Sequence, residues 1–329
     1  MKSDLTHGTS LIPTGDIPTG GSPSGNREDE VKMNVDGVCV ALVTPLLDEG
    51  KVDFAALERI VTRACDAGVV AVCPGGTTGE GPRLSVTDRA ALTTSVSRMV
   101  PDNVTVIGGV STSNVGETLA ELDAQASSGA NAALVTPPSR MPIGAAGLLR
   151  FYRELADRTP IPIVVYHIPQ FTGVHVPPEV VLELAVHPSI AGLKDSSADI
   201  QYHLRIADGM VDGAIADFAL LTGTDATMIS SMQAGGTGAV LASANLVPAM
   251  GVAVHRAVRA GDIDFASAEL RKLRAIVIAC RRGSLPAGWK GALELTGICS
   301  RRAVSPGESL DDTQLAALRG DLEKYGVLS

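Results

Sequence analysis

Residues 161–197 read IPIVVYHIPQFTGVHVPPEVVLELAVHPSIAGLKDSS, a strand, a loop, a helix and a second strand. The first strand runs from Pro162 to Tyr166, and side-chain alternation places Pro162, Val164 and Tyr166 on one face. In the second strand Ile190, Gly192 and Lys194 share a face, while Ala191 and Leu193 point the other way. If the two strands lie in one parallel sheet, a phenol and an amine project side by side from its carboxyl end. His167 has the opposite parity and is expected to face the helices or the loop above.

The same alternation of strand and helix extends outward from this unit. Upstream, Val38 to Leu42, Val69 to Cys73, Val104 to Ile107 and Ala132 to Val135 are short apolar runs. Helical spacing follows each of them, with Asp53 and Ser85 as N-caps and helices over Val115 to Ser127 and Ala145 to Ala156. Downstream come a helix near Ile200 to Ala207, a strand at Phe218 to Leu221, a helix at Ala226 to Gln233, a strand at Gly238 to Leu241 and a helix at Pro248 to Ala260. Eight strand–helix units in about 225 residues suit a (β/α)8 TIM barrel. A doubly wound open sheet usually has fewer strands before a domain break. After Gly261 only helical patterns follow, over 262–282, 286–296 and 312–325, a C-terminal helical appendix. The expected organisation is a disordered Gly-, Pro-, Ser- and Thr-rich tail at 1–33, a barrel at 34–260 and a helical domain at 261–329.

Composition narrows the partners. A net charge of −9 argues against nucleic acid or an anionic membrane as partner, and 3% aromatic residues leave few stacking platforms. Residues 226–254 carry no charge and are long enough to span a bilayer, but Gly235, Gly236, Gly238, Asn245 and Pro248 interrupt them. A buried strand with its flanking loops explains the segment better, and no signal peptide is evident. Five cysteines without a CxxC pair read as buried free thiols in a reducing cytoplasm. The six histidines are scattered and form no HxH, HxxxH or HExxH, so no metal site is expected.

Barrel active sites lie at the carboxyl ends of the strands. Lys194 follows the apolar run IAGL, and its parity aims the ammonium into the barrel, where desolvation is expected to lower its pKa toward a nucleophilic amine. The plain alternative is a solvated charge. Tyr166 beside it could shuttle protons, or be an ordinary core aromatic. The loop PGGTTGEGP (residues 74–82) could cradle an anion through its backbone N–H groups and the hydroxyls of Thr77 and Thr78. It is not a Walker loop, since Pro82 stands where the lysine is needed. GGTG at 235–238 lacks the third glycine of a dinucleotide fingerprint.

GTTGE (76–80), Tyr166-His167-Ile168-Pro169, GLKDSS (192–197), GTD (223–225) and GGTGAVLASANLVP (235–248) occur in an order and spacing that resemble the dihydrodipicolinate synthase/N-acetylneuraminate lyase family. The resemblance covers about Gly37 to Leu328. It implies a (β/α)8 barrel with a C-terminal helical domain, a homo-oligomer (tetramer or dimer), no cofactor, and a 2-oxo acid and an aldehyde as small-molecule partners. It implies Lys194 as the Schiff-base lysine and Tyr166 as its proton relay. Thr77 and Thr78 would hold the 2-oxo acid carboxylate, one of them also bonding Tyr166. Val240 matches a backbone position beside the keto acid, and Gly223 and Asp225 match positions lining the second-substrate pocket.

Two departures from the family's pattern bear on the substrate. Dihydrodipicolinate synthases carry Tyr-Tyr after the strand-four proline, where this chain has Pro138-Ser139. They also carry an arginine for the aldehyde substrate's carboxylate where this chain has Phe171. Losing a charge-assisted contact costs roughly 1.5–3 kcal/mol of binding. The expected activity is therefore a class I aldolase, a lyase acting on pyruvate or a related 2-oxo acid of the 2-keto-3-deoxy or 4-hydroxy type. The alternatives are 4-hydroxy-tetrahydrodipicolinate synthase, a dehydratase or hydratase-aldolase using the same imine, and a non-catalytic sensor of sugar or keto acids.

Overall fold

Eight parallel strands close into a barrel in sequence order in the computed structural model, which describes residues 35–328. They are β1 (Val38–Ala41), β2 (Ala71–Cys73), β3 (Thr105–Val110), β4 (Ala132–Val135), β5 (Ile163–His167), β6 (Ile190–Asp195), β7 (Ala219–Thr222) and β8 (Gly238–Leu241). β8 pairs back onto β1, so no strand edge is left open. The helices between them are α1 (Phe54–Asp66), α2 (Val86–Met99), α3 (Val115–Ser127), α4 (Ala145–Ala156), a short α5 (Pro169–Thr172), α6 (Pro178–Leu184), α7 (Ile200–Asp212), α8 (Met228–Gln233) and α9 (Pro248–Arg259). Three further helices follow, α10 (Ile263–Ala279), α11 (Ala287–Leu295) and α12 (Asp312–Lys324). The tail expected at 1–33 lies outside the described residues.

Caps start several helices where the sequence placed them. Asp53 Oδ1 accepts from the Ala56 amide at 2.9 Å and Ser85 Oγ from the Asp88 amide at 3.0 Å. Two elements run longer than the sequence pattern indicated. α7 continues through Gly209, where Leu182 of α6 packs so closely that a Cβ would overlap it. β3 continues through Gly108 and Gly109, and the Gly109 amide donates to Pro74 O at 2.9 Å. Glycine there signals close backbone approach rather than the end of an element.

Two apolar layers sandwich the barrel wall. Val164, Tyr166, Ile107, Leu134, Leu221, Val240, Cys39 and Cys73 fill the interior, while Ile163, Val165, Leu193 and Leu220 pack outward against the helices. Ile190 corrects the sequence reading. It belongs to the outer layer, not to the face of Gly192 and Lys194. The register runs Ile163↔Ile190 and then Val164↔Gly192, so Ala191 is an extra residue and the alternation resets across it. Counted from Gly192, Lys194 still points inward, and it lies opposite Tyr166 in the register.

The charge-free stretch 226–254 divides among two 3-10 turns, α8, β8 and the start of α9. Among the described residues no helix is long and apolar enough to cross a membrane.

Candidate active site

Parallel pairing of β5 with β6 brings Tyr166 and Lys194 side by side at the carboxyl end of the barrel. Both are buried, and Lys194 Nζ lies 4.2 Å from the centroid of the Tyr166 ring. That is cation–π distance, so the phenol ring partly replaces the water the ammonium loses. The Thr77 hydroxyl points to Tyr166 OH at 3.4 Å. Thr78 is buried next to it in the loop. Of the two threonines left open by the sequence, Thr77 is the one directed at the phenol.

Desolvation acts to lower the Lys194 pKa, as expected, but Tyr166, Cys73 and Cys39 act the other way, and the balance lies above the ordinary lysine value. Tyr166 opposes desolvation most, and a pair of thiols, from β1 and β2, projects into the same interior and adds to that opposition. Burial pushes the Cys73 thiol up to about 11 and the Cys39 thiol well above its usual range. A thiol that is neutral at pH 7 exerts no anionic pull, so in neutral solution the thiols' opposition is absent and desolvation acts on the ammonium without it.

The other expected site residues are distributed unevenly. A Cβ on Gly223 would overlap Ser196 Oγ and come 3.1 Å from Lys194 Cε, so only glycine leaves the lysine its place. Val240 lines the interior. Asp225 is buried and accepts a hydrogen bond from Ser243 Oγ, which ties the loop after β7 to the loop after β8. Burial raises its pKa, with the Ser243 bond opposing. Phe171 is 61% exposed on α5, and Ser139 is exposed in the loop after β4. Neither belongs to the buried group around Lys194.

The TTGE loop is held from beneath. Thr44 Oγ1 donates to Gly79 O at 2.6 Å, and Arg89 Nη1 donates to Gly81 O at 2.7 Å. Glu80 takes a left-handed backbone, φ 59°, which is strained for a side chain of this size. Its carboxylate is fully buried and pairs with Lys290 Nζ of α11 at 2.6 Å. It also accepts from the Val304 amide at 2.9 Å and from Arg83 at 3.1 Å. The C-terminal segment thus reaches under the loop that carries Thr77 and Thr78. Sequence reasoning missed this pair because its members are far apart in the chain and each alone reads as a surface charge.

A second group was also missed. His167 faces outward, as its parity required, and its Nδ1 is 3.0 Å from Asp195 Oδ1. His175 and His203 join the same group from a loop and from α7. Burial acts to raise the Asp195 pKa, but hydrogen bonds from His167, His203 and Ser197 outweigh it and hold the carboxyl well below the usual range. The available signal was parity: the residue after each of Tyr166 and Lys194 had to share the opposite face.

A buried lysine beside a phenol at the carboxyl end of such a barrel is suited to imine chemistry, and this chain is a lyase of the class I aldolase type. It belongs to the Dihydrodipicolinate synthetase family, whose sequence profile matches residues 34–325. An uncharacterised DapA-like lyase of Halobacterium salinarum is 32% identical over 296 residues, covering 90% of this chain and 96% of that protein. The 4-hydroxy-tetrahydrodipicolinate synthase of Laribacter hongkongensis is 34% identical over 263 residues, covering 79% and 88%. Among solved structures, the dihydrodipicolinate synthase of Thermotoga maritima superposes with a TM-score of 0.85 at 30% identity, covering 89% of this chain and 99% of that one. YagE of E. coli K12, a family member solved in complex with pyruvate, gives 0.84 at 26% identity, covering 89% and 99%.

Proposed function

We propose that Lys194 condenses with the ketone of pyruvate or a 4-hydroxy-2-oxo acid, and that the chain cleaves or forms the bond between C3 and C4 of that acid. The observation that carries this reading is the buried pairing of Lys194 with Tyr166 beside Thr77. The neutral amine attacks C2 to give a carbinolamine. Tyr166 delivers a proton to the departing hydroxyl, and water leaves to form the protonated imine. In cleavage, the 4-hydroxyl loses its proton, the C3–C4 bond breaks, and its electrons enter the iminium to give an enamine and a free aldehyde. Protonation at C3 and hydrolysis then release pyruvate and restore the amine. Thr77 and Thr78 hold the carboxylate, with Val240 beside the keto acid and Gly223 leaving the lysine room to reach C2.

Phe171 decides the class of second substrate. An exposed ring offers no charge-assisted contact to a carboxylate, so the aldehyde favoured here has no carboxylate at its far end. Pyruvate release from a panel of 2-keto-3-deoxy acids, with succinic and aspartate semialdehydes as condensation partners, tests the reading. Pyruvate plus an aldehyde is the expected outcome. Release of water alone identifies a dehydratase, and binding without turnover identifies a sensor. The competing reading, 4-hydroxy-tetrahydrodipicolinate synthase, draws support from relatives named for that reaction. Rapid use of aspartate semialdehyde establishes it.

Tyr166→Phe keeps the ring over Lys194 and removes the proton carrier. It is expected to slow exchange of the pyruvate methyl protons in D2O by about 10²-fold or more. Exchange at the unaltered rate removes Tyr166 from the mechanism.

The buried free thiols Cys39, Cys73, Cys280 and Cys299 support a reducing, cytoplasmic setting. The family relationship supports a homo-oligomer, and one structural relative is a monomeric variant. Size measurement in solution separates these states.

A further inference from the structure

Tyr166 and Lys194 are register partners inside the barrel, and the next pair in the register, His167 and Asp195, are partners outside it. The side chains of the inner pair meet with the ammonium against the phenol ring. The outer pair is joined by a direct hydrogen bond of 3.0 Å between two buried groups. A carboxylate only accepts, so His167 Nδ1 carries a proton, and its Nε2 lies 3.2 Å from His175 Nδ1. His203 Nδ1 stands 3.8 Å from the other Asp195 oxygen, and its Nε2 takes the Ser231 hydroxyl at 2.7 Å. The His167 ring lies against Tyr202, with centroids 4.2 Å apart. The backbone closes the unit: Ser196 N donates to His167 O at 2.8 Å, and Gly223 N donates to Asp195 O at 2.6 Å. Gly223 is the residue that abuts the Lys194 side chain.

We propose that His167 and Asp195 form a positioning pair for Lys194 and Tyr166, acting from the outer face of the barrel. The proposal rests on the imine reading of the site. Each outer residue is bonded through one peptide unit to a reacting side chain. Rotation of either strand about its axis would swing its outer side chain one way and its inner, reacting side chain the other. The His167–Asp195 bond opposes that rotation, and a misplacement of about 1 Å at a reacting group can cost about 10²-fold in rate. Asp195 sets the tautomer of His167, and the remaining members hold its ring plane, as an oriented carboxylate–imidazole unit requires.

Exchange of pyruvate methyl protons in D2O tests the pair without knowledge of the aldehyde, because it needs only the imine and the proton transfers. Folding of each variant is followed by its thermal midpoint, and exchange is measured below it. His167→Ala is expected to lower kcat for exchange at least tenfold with KM for pyruvate within about twofold. His167→Asn supplies an N–H on a shorter side chain and is expected to recover most of the loss. Asp195→Asn keeps the shape but removes the charge that sets the tautomer, and is expected to lower kcat in the folded protein. A packing role alone would lower the midpoint and leave kcat of the folded protein unchanged. Folded His167→Ala or Asp195→Asn exchanging at the wild-type kcat overturns the proposal, as does equal loss in His167→Ala and His167→Asn. If wild-type protein forms no borohydride-trapped pyruvate adduct on Lys194, the imine reading fails and the proposal with it. If the adduct forms and the variants exchange normally, only the positioning role fails.

Discussion

Lys194→Met is expected to abolish the borohydride-trapped pyruvate adduct and all pyruvate proton exchange while leaving the fold as stable as before or more so. Methionine matches the lysine stem in length but has no amine to attack a carbonyl, so the covalent route is closed rather than slowed. The stability half of the expectation follows from burial. Lys194 is 4% exposed and lies against the Tyr166 ring, and among the described residues no carboxylate pairs with it. Desolvation of the ammonium opposes folding while Tyr166 favours it, and an apolar side chain of similar volume removes both contributions. Peptide mass mapping after reduction in the presence of pyruvate, together with thermal midpoints of the two proteins, reads both halves. An adduct that persists in the variant at another lysine excludes Lys194 as the nucleophile. A large fall in midpoint shows instead that the lysine supports the barrel.

The second large effect is expected far from the amine. Lys290→Met takes from the Glu80 carboxylate its buried cation and leaves it the half-buried Arg83, in a loop whose backbone is already strained at that residue. Breaking a buried pair by removing one partner typically costs about 3–5 kcal/mol, because the remaining charge is uncompensated. Glu80→Gln combined with Lys290→Met removes both charges, and it should recover a large part of that loss. The loss should also appear at the site. Glu80 lies two residues beyond Thr78, and its carboxylate ties the loop to Val304 as well as to Lys290. With Thr77 and Thr78 holding the carboxylate as proposed, a loosened loop should raise KM for pyruvate in the single variant. Denaturant unfolding and KM for pyruvate proton exchange measure the two effects. A single variant no less stable than the double variant would mean that the pair contributes nothing as a pair.

The two expectations differ in how far they could be read from the sequence. Tyr166 and Lys194 were legible because strand alternation is local: each side chain's face follows from a few neighbours. Ile190 was misplaced by the same rule, since the extra residue at Ala191 arises from pairing between strands and leaves no mark within β6 itself. The thiols beside the lysine needed only the parity of β1 and β2, but their effect on its charge needed the barrel to be closed. His175 and His203 looked scattered because they reach Asp195 from different elements.

The sequence by itself determined the order of strands and helices, the family, and the faces on which Tyr166 and Lys194 stand, because these depend on periodicity and on motifs of a few consecutive residues. Only the tertiary structure decided what surrounds those side chains: Thr77 against Tyr166, Glu80 on Lys290, and Asp195 gathering His167 and His203. Burial and pairing of charge depend on through-space distances of a few ångströms between groups remote in the chain. Closing the barrel creates those distances, and the same closure turns a lysine at a strand end into a buried amine beside a phenol.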